Sequence, residues 1–319
     1  MARLLAMAGN EVRIWCHEED VAAEILESRE NSKYLPGVAL PRAIGCTTDI
    51  AEAVPVAEVL VMATPTPYLR RVCEKMAPLV DSEQVVVGVA KGIEEDTLML
   101  GSQIVEDVCG EMQTAGLYGP SHAEEVARGL PTMVVATSRD HRLAQFVQRL
   151  FNQERFRVYT NTDFLGVELG AALKNVIAVG AGICDGLGFG DNALSGLVAR
   201  GLAEITRLGV VMGARRGTFA GLTGLGDLIT TCFSEHGRNR SVGLRLAKGE
   251  TLEQITESMS MVAEGVRTSR AVRALSQRHN VVMPISNEVC AILFDEKPAR
   301  KAVEDLMTRP LKPELDEVF

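Results

Sequence analysis

The sequence lacks the patterns that are typical of a metal site or a disulfide framework. Its seven cysteines are odd in number, widely spaced and without a C-x-x-C pair, and its five histidines show no ligand spacing. Scattered cysteines of this kind indicate reduced thiols in the cytoplasm. We therefore expect no bound metal ion and a cytoplasmic location.

Long hydrophobic runs and an excess of basic residues are also missing. No uninterrupted apolar stretch approaches the roughly 18 residues that a membrane helix needs, and the apolar segment Leu4–Ala8 is too short for a signal peptide. The net charge of −9 disfavours nucleic acid and anionic membranes as partners. An anionic ligand would therefore need a local cluster of lysine and arginine.

What the first half of the chain does contain is a regular alternation of β-branched runs and amphipathic stretches. The predicted strands are Val12–Cys16, Val59–Ala63, Val85–Ala90, Leu117–Tyr118, Met133–Ala136 and Arg157–Tyr159. The predicted helices between them include Asp20–Arg29, Pro67–Ala77, Thr97–Val108 and Ala123–Gly129. Valine-rich runs are typical of parallel strands that are buried on both faces. The alternation predicts a Rossmann-type, doubly wound α/β sheet.

The sequence after about residue 160 predicts helices and no strands. We therefore expect a dinucleotide-binding domain over residues 1–160 and a helical substrate domain over 161–319. Asn161 or Thr162 is a suitable N-cap for a long helix that runs past Val179. Pro298 suits the first turn of the last helix. The other predicted helices are Ala193–Leu208, Arg238–Ala247, Leu252–Ser258, Ser269–Arg278, Asn287–Phe294 and Pro298–Thr308.

The first strand of such a sheet and its G-x-G-x-x-G loop do not occur in the sequence. MARLLAMAGN predicts the end of a helix, and EVRIWC predicts the strand that follows it. The glycines of 186–190 and 221–226 follow helical segments, so they do not form this loop. Because the first strand is central, its loss would leave two neighbouring strands unpaired. We expect upstream residues to encode it; the alternative is that the domain begins here.

Two lysines are candidates for chemistry. Lys91 follows a buried strand, at the sheet edge where ligands of α/β proteins bind; the alternative is a solvated loop lysine. Lys174 lies in a helix that is otherwise almost entirely small or apolar. Burial lowers the pKa of an amine and makes it usable in proton transfer; the alternative is a structural ion pair with Glu168.

A third candidate region follows in the helical half. Asp227 is predicted in a glycine-flanked turn, and Arg238 and Asn239 open a helix. A helix N-terminus with a guanidinium group is a good phosphate site. Taken alone, however, Arg238–Arg240 would be better explained as solvent-exposed polar residues with a helix cap. Arg215 and Arg216 are expected to face solvent, and His122, His141 and His279 to be structural or exposed.

Together these segments resemble the bacterial soluble NAD(P)-dependent glycerol-3-phosphate dehydrogenases, from residue 2 to about 308. The motifs that carry the resemblance occur in the family's order: Lys91–Ile93, Gly119–Ala123, Leu173–Ala178, Gly226–Leu228 and Arg238–Arg240. The resemblance implies reversible reduction of dihydroxyacetone phosphate to sn-glycerol 3-phosphate for glycerophospholipid synthesis, with NAD or NADP as cofactor. It also suggests a homodimer.

The resemblance also implies roles for individual residues. Lys174 would be the general acid and base, and its pKa would be lowered by the nearby Lys91. The implied substrate-binding residues are Lys91, Gly119, Ser121, Asn175, Asp227, Thr231, Gly237, Arg238 and Asn239, where Gly237 replaces a hydrogen-bonding side chain common in the family. The implied cofactor-binding residues are His17, Lys91, Ala123, Arg238, Val262 and Glu264.

Two other classes of function remain as alternatives. A hydroxyacid or acyl-CoA reductase would share the architecture but not the phosphate-binding constellation. A chain without the glycine loop would act only as a phosphometabolite-binding or interaction module.

Overall fold

The first half of the chain forms parallel strands with helices, and the second half forms helices only. The structure is a computed structural model that describes residues 1–235, 237–259 and 261–314. The strands are β1 Val12–Trp15, β2 Ile44–Thr47, β3 Val59–Met62, β4 Val85–Gly88, β5 Gln113–Tyr118, β6 Thr132–Thr137 and β7 Phe156–Asn161. The helices of this half are α1 Ala2–Met7, α2 Glu19–Glu27, α3 Ile50–Ala53, α4 Thr66–Met76, α5 Gly101–Cys109, α6 Ala123–Ala127 and α7 His141–Phe151.

The strands form two sheets, with the orders β1-β2 and β3-β4-β5-β6-β7. Within the described residues β1 therefore pairs only with β2, and β3 only with β4. Each of these two strands thus has one edge without a strand partner among the described residues, as predicted for the neighbours of the first strand. The α/β class is also confirmed. Strand β2 was missed in the sequence because Gly45 and Cys46 interrupt its β-branched pattern.

One strand pair departs from the predicted parallel sheet, because β5 and β6 are antiparallel. The only helix between these two strands is α6, with five residues. A helix of that length rises only about 7.5 Å, so it cannot return the chain along a six-residue strand of roughly 20 Å. The connection therefore stays at the carboxyl edge of the sheet, where it carries the Gly119–Ala123 segment.

The helical domain is assembled around α8 Phe164–Gly186, which is buried along its length. By length and composition α8 could cross a membrane, although no uninterrupted apolar stretch of the sequence predicted such a helix. In the structure the rest of the domain encloses α8 on all sides. Its N-cap is Asp163, whose carboxylate accepts from the Gly166 N–H at 3.1 Å. The predicted caps Asn161 and Thr162 were therefore wrong by one or two residues.

Short helices and long helices of the same domain surround α8. They are α9 Gly190–Val211, α10 Arg216–Phe219, a π-helical turn Leu222–Gly226, α11 Asp227–Phe233, α12 Arg238–Ala247, α13 Leu252–Ser258, α14 Glu264–Arg278, α15 Pro284–Phe294 and α16 Ala299–Met307. Pro298 is the N-cap of α16 and not part of its first turn. Asp227 likewise begins α11 and does not lie in a turn.

Glycines allow α12 to lie with its backbone against the backbone of α8. A Cβ atom at Gly182 would lie 1.9 Å from the Arg240 carbonyl oxygen, and one at Gly243 would lie 2.0 Å from the Val179 carbonyl oxygen. No side chain fits in either place. This close approach fixes the start of α12, and therefore Arg238 and Asn239, relative to Lys174.

We expect Gly243→Ala to destabilise the fold, because the added methyl group overlaps the backbone of α8. Such overpacking typically costs about 1–3 kcal/mol, measurable as a lower midpoint of urea unfolding. The matched control is Gly196→Ala in α9, where a Cβ meets nothing within 4 Å. That control should raise the free energy of unfolding by up to about 1 kcal/mol. Equal effects of the two substitutions would contradict the close-contact explanation.

Candidate active site

Lys174 is buried in the middle of α8, and its ammonium group is paired. Its Nζ atom donates to the Asp227 carboxylate and, at 2.6 Å, to the Thr231 hydroxyl oxygen. Thr231 in turn donates to the Asp227 carbonyl oxygen at 2.6 Å, so its lone pairs are directed at the amine. Lys174, Asp227 and Thr231 therefore form one buried cluster between α8 and α11.

The alternative ion pair between Lys174 and Glu168 was wrong. Glu168 accepts from the Ser102 N–H at 3.0 Å and from the Tyr118 hydroxyl at 3.1 Å. Six residues of α-helix at 3.6 residues per turn place Glu168 and Lys174 on different faces of α8. Because Glu168 is satisfied elsewhere, it is not the partner of the amine.

A second lysine shares the same carboxylate. The Lys91 Nζ atom donates to Asp227 Oδ2 at 2.9 Å and to the Gly119 carbonyl oxygen at 2.7 Å. Lys91 follows β4 and Gly119 follows β5, so the carboxyl edge of the sheet meets the helical domain here. Two ammonium groups and one carboxylate leave a local positive charge in a chain of net charge −9.

This arrangement changes the protonation of the buried groups. Burial, with help from the charge of Lys91, lowers the pKa of Lys174 to about 8, although Asp227 opposes the change. Burial alone would raise the pKa of Asp227, but the ammonium groups of Lys174 and Lys91 outweigh it and lower that pKa. The site therefore holds an amine that can gain and lose a proton near neutrality.

His122 is nearer to this site than the sequence suggested. It is half-buried just before α6, and burial, then the charges of Lys174 and Lys91, lower its pKa. The prediction of a structural or exposed residue therefore missed its proximity to the two lysines. Its position within the Gly119–Ala123 motif was the available signal. Arg215 and Arg216 are exposed, as predicted.

The starts of α12 and α14 lie beside the lysine cluster. The Asn175 side-chain amide donates to the Lys91 carbonyl oxygen at 2.8 Å, and Asn239 Oδ1 accepts from the Gly265 N–H at 2.9 Å. Arg238 is exposed, and its Nη1 atom donates to the Val262 carbonyl oxygen at 3.1 Å. Residues from α8, α12 and α14 thus line one corner next to Lys91.

Gly119, Ser121 and Gly237 lie at this site with their polar groups already engaged in part. Ser121 donates to the Gly119 carbonyl oxygen at 3.1 Å, and Gly119 has a φ of +138°, which favours glycine. The Gly237 N–H donates to the Ser234 carbonyl oxygen at 3.2 Å, and its own carbonyl accepts from the Ser241 N–H at 2.9 Å. Both backbone groups of Gly237 therefore serve the start of α12.

The predicted cofactor residues are spread over a wider surface. His17 is exposed after β1, with its ring centroid 6.3 Å from that of Trp15, and Ala123 is exposed at the start of α6. Glu264 accepts from Thr66, a residue at the start of α4 that sequence reasoning missed. No local pattern in the sequence marks Thr66, because its partner is 198 residues away.

The edge formed by these groups is the position at which a dinucleotide would bind. His17 and Lys91 both follow the carboxyl ends of parallel strands, where open α/β sheets bind their ligands. Lys91 also links this edge to the buried amine through the Asp227 carboxylate, to which both lysines donate. Within the part of the chain that the structure describes, no three His, Cys, Asp or Glu side chains cluster in a way that could hold a metal ion.

Known proteins match this architecture and its sequence over nearly the whole chain. Models of the NAD-dependent glycerol-3-phosphate dehydrogenase N-terminus and C-terminus match residues 1–144 and 163–304. A glycerol-3-phosphate dehydrogenase [NAD(P)+] of Salinibacter ruber is 48% identical over 97% of this chain and 92% of its own length. The corresponding protein of Bacillus subtilis is 48% identical over 100% of this chain and 93% of its own length.

A solved structure agrees with this sequence relationship. The crystal structure of glycerol-3-phosphate dehydrogenase from Coxiella burnetii superposes with a TM-score of 0.93 at 34% identity, covering 97% of this chain and 94% of that one. The chain therefore belongs to the NAD-dependent glycerol-3-phosphate dehydrogenase family.

Proposed function

We propose that this protein catalyses the NAD(P)-dependent, reversible reduction of dihydroxyacetone phosphate to sn-glycerol 3-phosphate. The observation that carries the proposal is the buried Lys174 amine, which lies on Asp227 beside a second lysine. Family membership supports the same activity. In this proposal residues 1–160 bind the cofactor, residues 161–319 bind the substrate, and the product serves glycerophospholipid synthesis.

Lys174 is the general acid and base in this proposal. In reduction its ammonium donates a proton to the oxygen on C2 of the substrate, and in oxidation the neutral amine takes that proton back. The cofactor, when bound, supplies or accepts the hydride. Asp227 and Thr231 orient the amine. Burial, together with the charge of Lys91, lowers its pKa, so that both protonation states are accessible.

The phosphate group is held at the start of α12. Arg238 supplies a guanidinium group that can pair with two phosphate oxygens, and the helix N-terminus adds a positive dipole end. Asn239 uses its carbonyl oxygen on Gly265, so its amide NH₂ group is directed elsewhere and can donate to phosphate. Lys91, Asn175, Gly119 and Ser121 complete the proposed substrate site, and Gly237 contributes to it by starting α12. His17, Ala123, Val262 and Glu264 are proposed on the cofactor side, together with Lys91 and Arg238.

The physiological setting follows from the same features. Because all seven cysteines are free thiols in the structure, we propose a cytoplasmic protein whose partner is a small phosphorylated substrate. Leu225, Ile229 and Phe233 are exposed at intervals of four residues along α11 and the turn before it. This apolar stripe supports the proposal of a homodimer.

Replacement of the acid and base tests the proposal directly. We expect Lys174→Met to lower the rate of dihydroxyacetone phosphate-dependent NAD(P)H oxidation roughly 10²–10⁴-fold. The circular dichroism spectrum should stay native, because methionine fills a similar volume. Lys248→Met, at an exposed lysine of the same domain, serves as the control with unchanged rate. A near-normal rate for Lys174→Met would exclude Lys174 as the proton donor.

The pH dependence of kcat should have opposite signs for reduction and for oxidation. Reduction needs the protonated amine, so its kcat should fall as the pH rises through about 8, the pKa of Lys174. Oxidation needs the neutral amine, so its kcat should rise over the same range. Saturating substrate and cofactor at each pH give the two profiles, and a circular dichroism control detects unfolding. Two flat profiles between pH 7 and pH 10 would disprove the assignment.

Arg238 separates this function from that of a hydroxyacid reductase. A charge-assisted hydrogen bond contributes about 1.5–3 kcal/mol, so Arg238→Ala should lower kcat/KM for dihydroxyacetone phosphate roughly 10–100-fold. Both substrates are measured at saturating NAD(P)H, so that the proposed cofactor contact of Arg238 does not enter, and the value for unphosphorylated dihydroxyacetone should not change. Arg216→Ala, at an exposed arginine of α10, is the matched control. Equal losses on both substrates would argue against a phosphate site at Arg238.

A further inference from the structure

Glu264 joins the helical domain to the sheet-containing half at the edge of the active site. It is the first residue of α14. Its Oε1 atom accepts from the Thr66 N–H at 3.0 Å and from the Thr66 hydroxyl at 3.1 Å. Its Oε2 atom accepts from the backbone N–H of Lys91 at 3.3 Å. One carboxylate therefore holds the start of α4 and the backbone of Lys91 in the segment that follows β4.

The residue after Glu264 is tied to the proposed phosphate site. The Gly265 N–H donates to Asn239 Oδ1, and a Cβ atom at Gly265 would lie 2.4 Å from the Asn175 carbonyl oxygen. The start of α14 is therefore packed directly against α8 and α12. Through two consecutive residues, the phosphate side of the site is connected to Lys91.

A second glutamate makes a similar connection away from the lysines. Glu168 of α8 accepts from Ser102 at the start of α5 and from Tyr118. Each glutamate thus meets the N-terminal end of a helix in the sheet-containing half, which favours a negative charge. Glu168 attaches α8 to this half at a point where no lysine takes part in its hydrogen bonds. Glu264 is the one that bonds to Lys91 itself.

From this geometry we propose that Glu264 is a positioning residue, which holds the backbone of Lys91 so that its ammonium group stays on Asp227 next to Lys174. The inference rests on the proposed function and differs from the cofactor contact that the family resemblance implies. A carboxylate has about four acceptor sites, and three of those of Glu264 are used within the protein. One acceptor site is therefore left for the cofactor contact proposed above, and KM for NAD(P)H reports on that contact separately.

The charges around Lys174 make the proposal testable, because it predicts the direction in which the pKa of Lys174 changes when Glu264 is replaced. Asp227 and Cys232 raise the pKa of Lys174, Lys91 lowers it, and His122 also lies close to both lysines. Besides Lys91, the polar side chains of Tyr118 and Thr66 also lie near Glu264. Displacement of Lys91 would raise the pKa of Lys174. Direct loss of the negative charge of Glu264 would instead lower it.

Glu264→Gln is the principal test. The glutamine oxygen can still accept from Thr66. The glutamine NH₂ group then faces the Lys91 N–H, and because it is a donor it cannot accept that hydrogen bond. We expect kcat for reduction to fall about 10-fold and KM for NAD(P)H to change less than twofold. The pKa seen in the pH profile of kcat, which we assign to Lys174, should rise by at least about half a pH unit above that of the wild type. Glu95→Gln is the matched control, since it removes only the exposed ion pair with Arg270 of the same helix, and it should leave all three values unchanged.

A second measurement does not depend on activity. In protein labelled with ¹³C-lysine, the Cε signal of Lys174, assigned by its loss in Lys174→Met, reports the titration of the amine without substrate or cofactor. We expect the midpoint to move upward in Glu264→Gln. Thr66→Val, which removes only the hydroxyl donor to Glu264, should move it in the same direction by less, and it replaces Glu264→Gln if that variant does not fold.

The possible results separate the two proposals. An unchanged or lowered Lys174 midpoint, or an effect confined to KM for NAD(P)H, would overturn the positioning role. A raised midpoint in a protein whose wild type does not reduce dihydroxyacetone phosphate would support positioning and reject the proposed function.

Discussion

The shared carboxylate of Asp227 is the constraint on which the rest of the site depends. Lys174 and Lys91 come from different halves of the fold, and each donates to one oxygen of this carboxylate. Two ammonium groups so close together in a buried site would otherwise repel each other. A single carboxylate between them keeps both in place and leaves a positive charge for an anionic substrate. Desolvation of the inner amine then brings its pKa to about 8.

The packing of the helices keeps Lys174, Lys91 and Asp227 in this arrangement. Gly182 and Gly243 let α12 lie against α8 without side chains between them, so the start of α12, where we propose that phosphate binds, and the buried lysine keep a fixed separation. Glu168 and Glu264 attach α8 and α14 to the sheet-containing half at two separate points. Because these carboxylates accept backbone N–H groups at helix starts, they fix the backbone itself and not only side-chain rotamers.

Local positive charge opposes the overall field of the protein. The chain carries a net charge of −9, whose overall field repels anions. Lys91, Lys174 and Arg238 are nevertheless collected in one corner by α8, α12 and the carboxyl edge of the sheet. The selectivity for a small phosphorylated ligand therefore depends on placement and not on composition.

The sequence by itself determined the features that depend on local pattern. Alternating β-branched and amphipathic segments specified the α/β half, and an apolar helix containing one lysine specified a buried amine, because burial follows hydrophobic periodicity. Tertiary structure alone decided the partner of Lys174 and the attachment of Glu264 to Thr66. These depend on hydrogen bonds between residues 53 and 198 positions apart. Periodicity describes which face of an element is buried, but it contains no information on which distant polar group will meet it there.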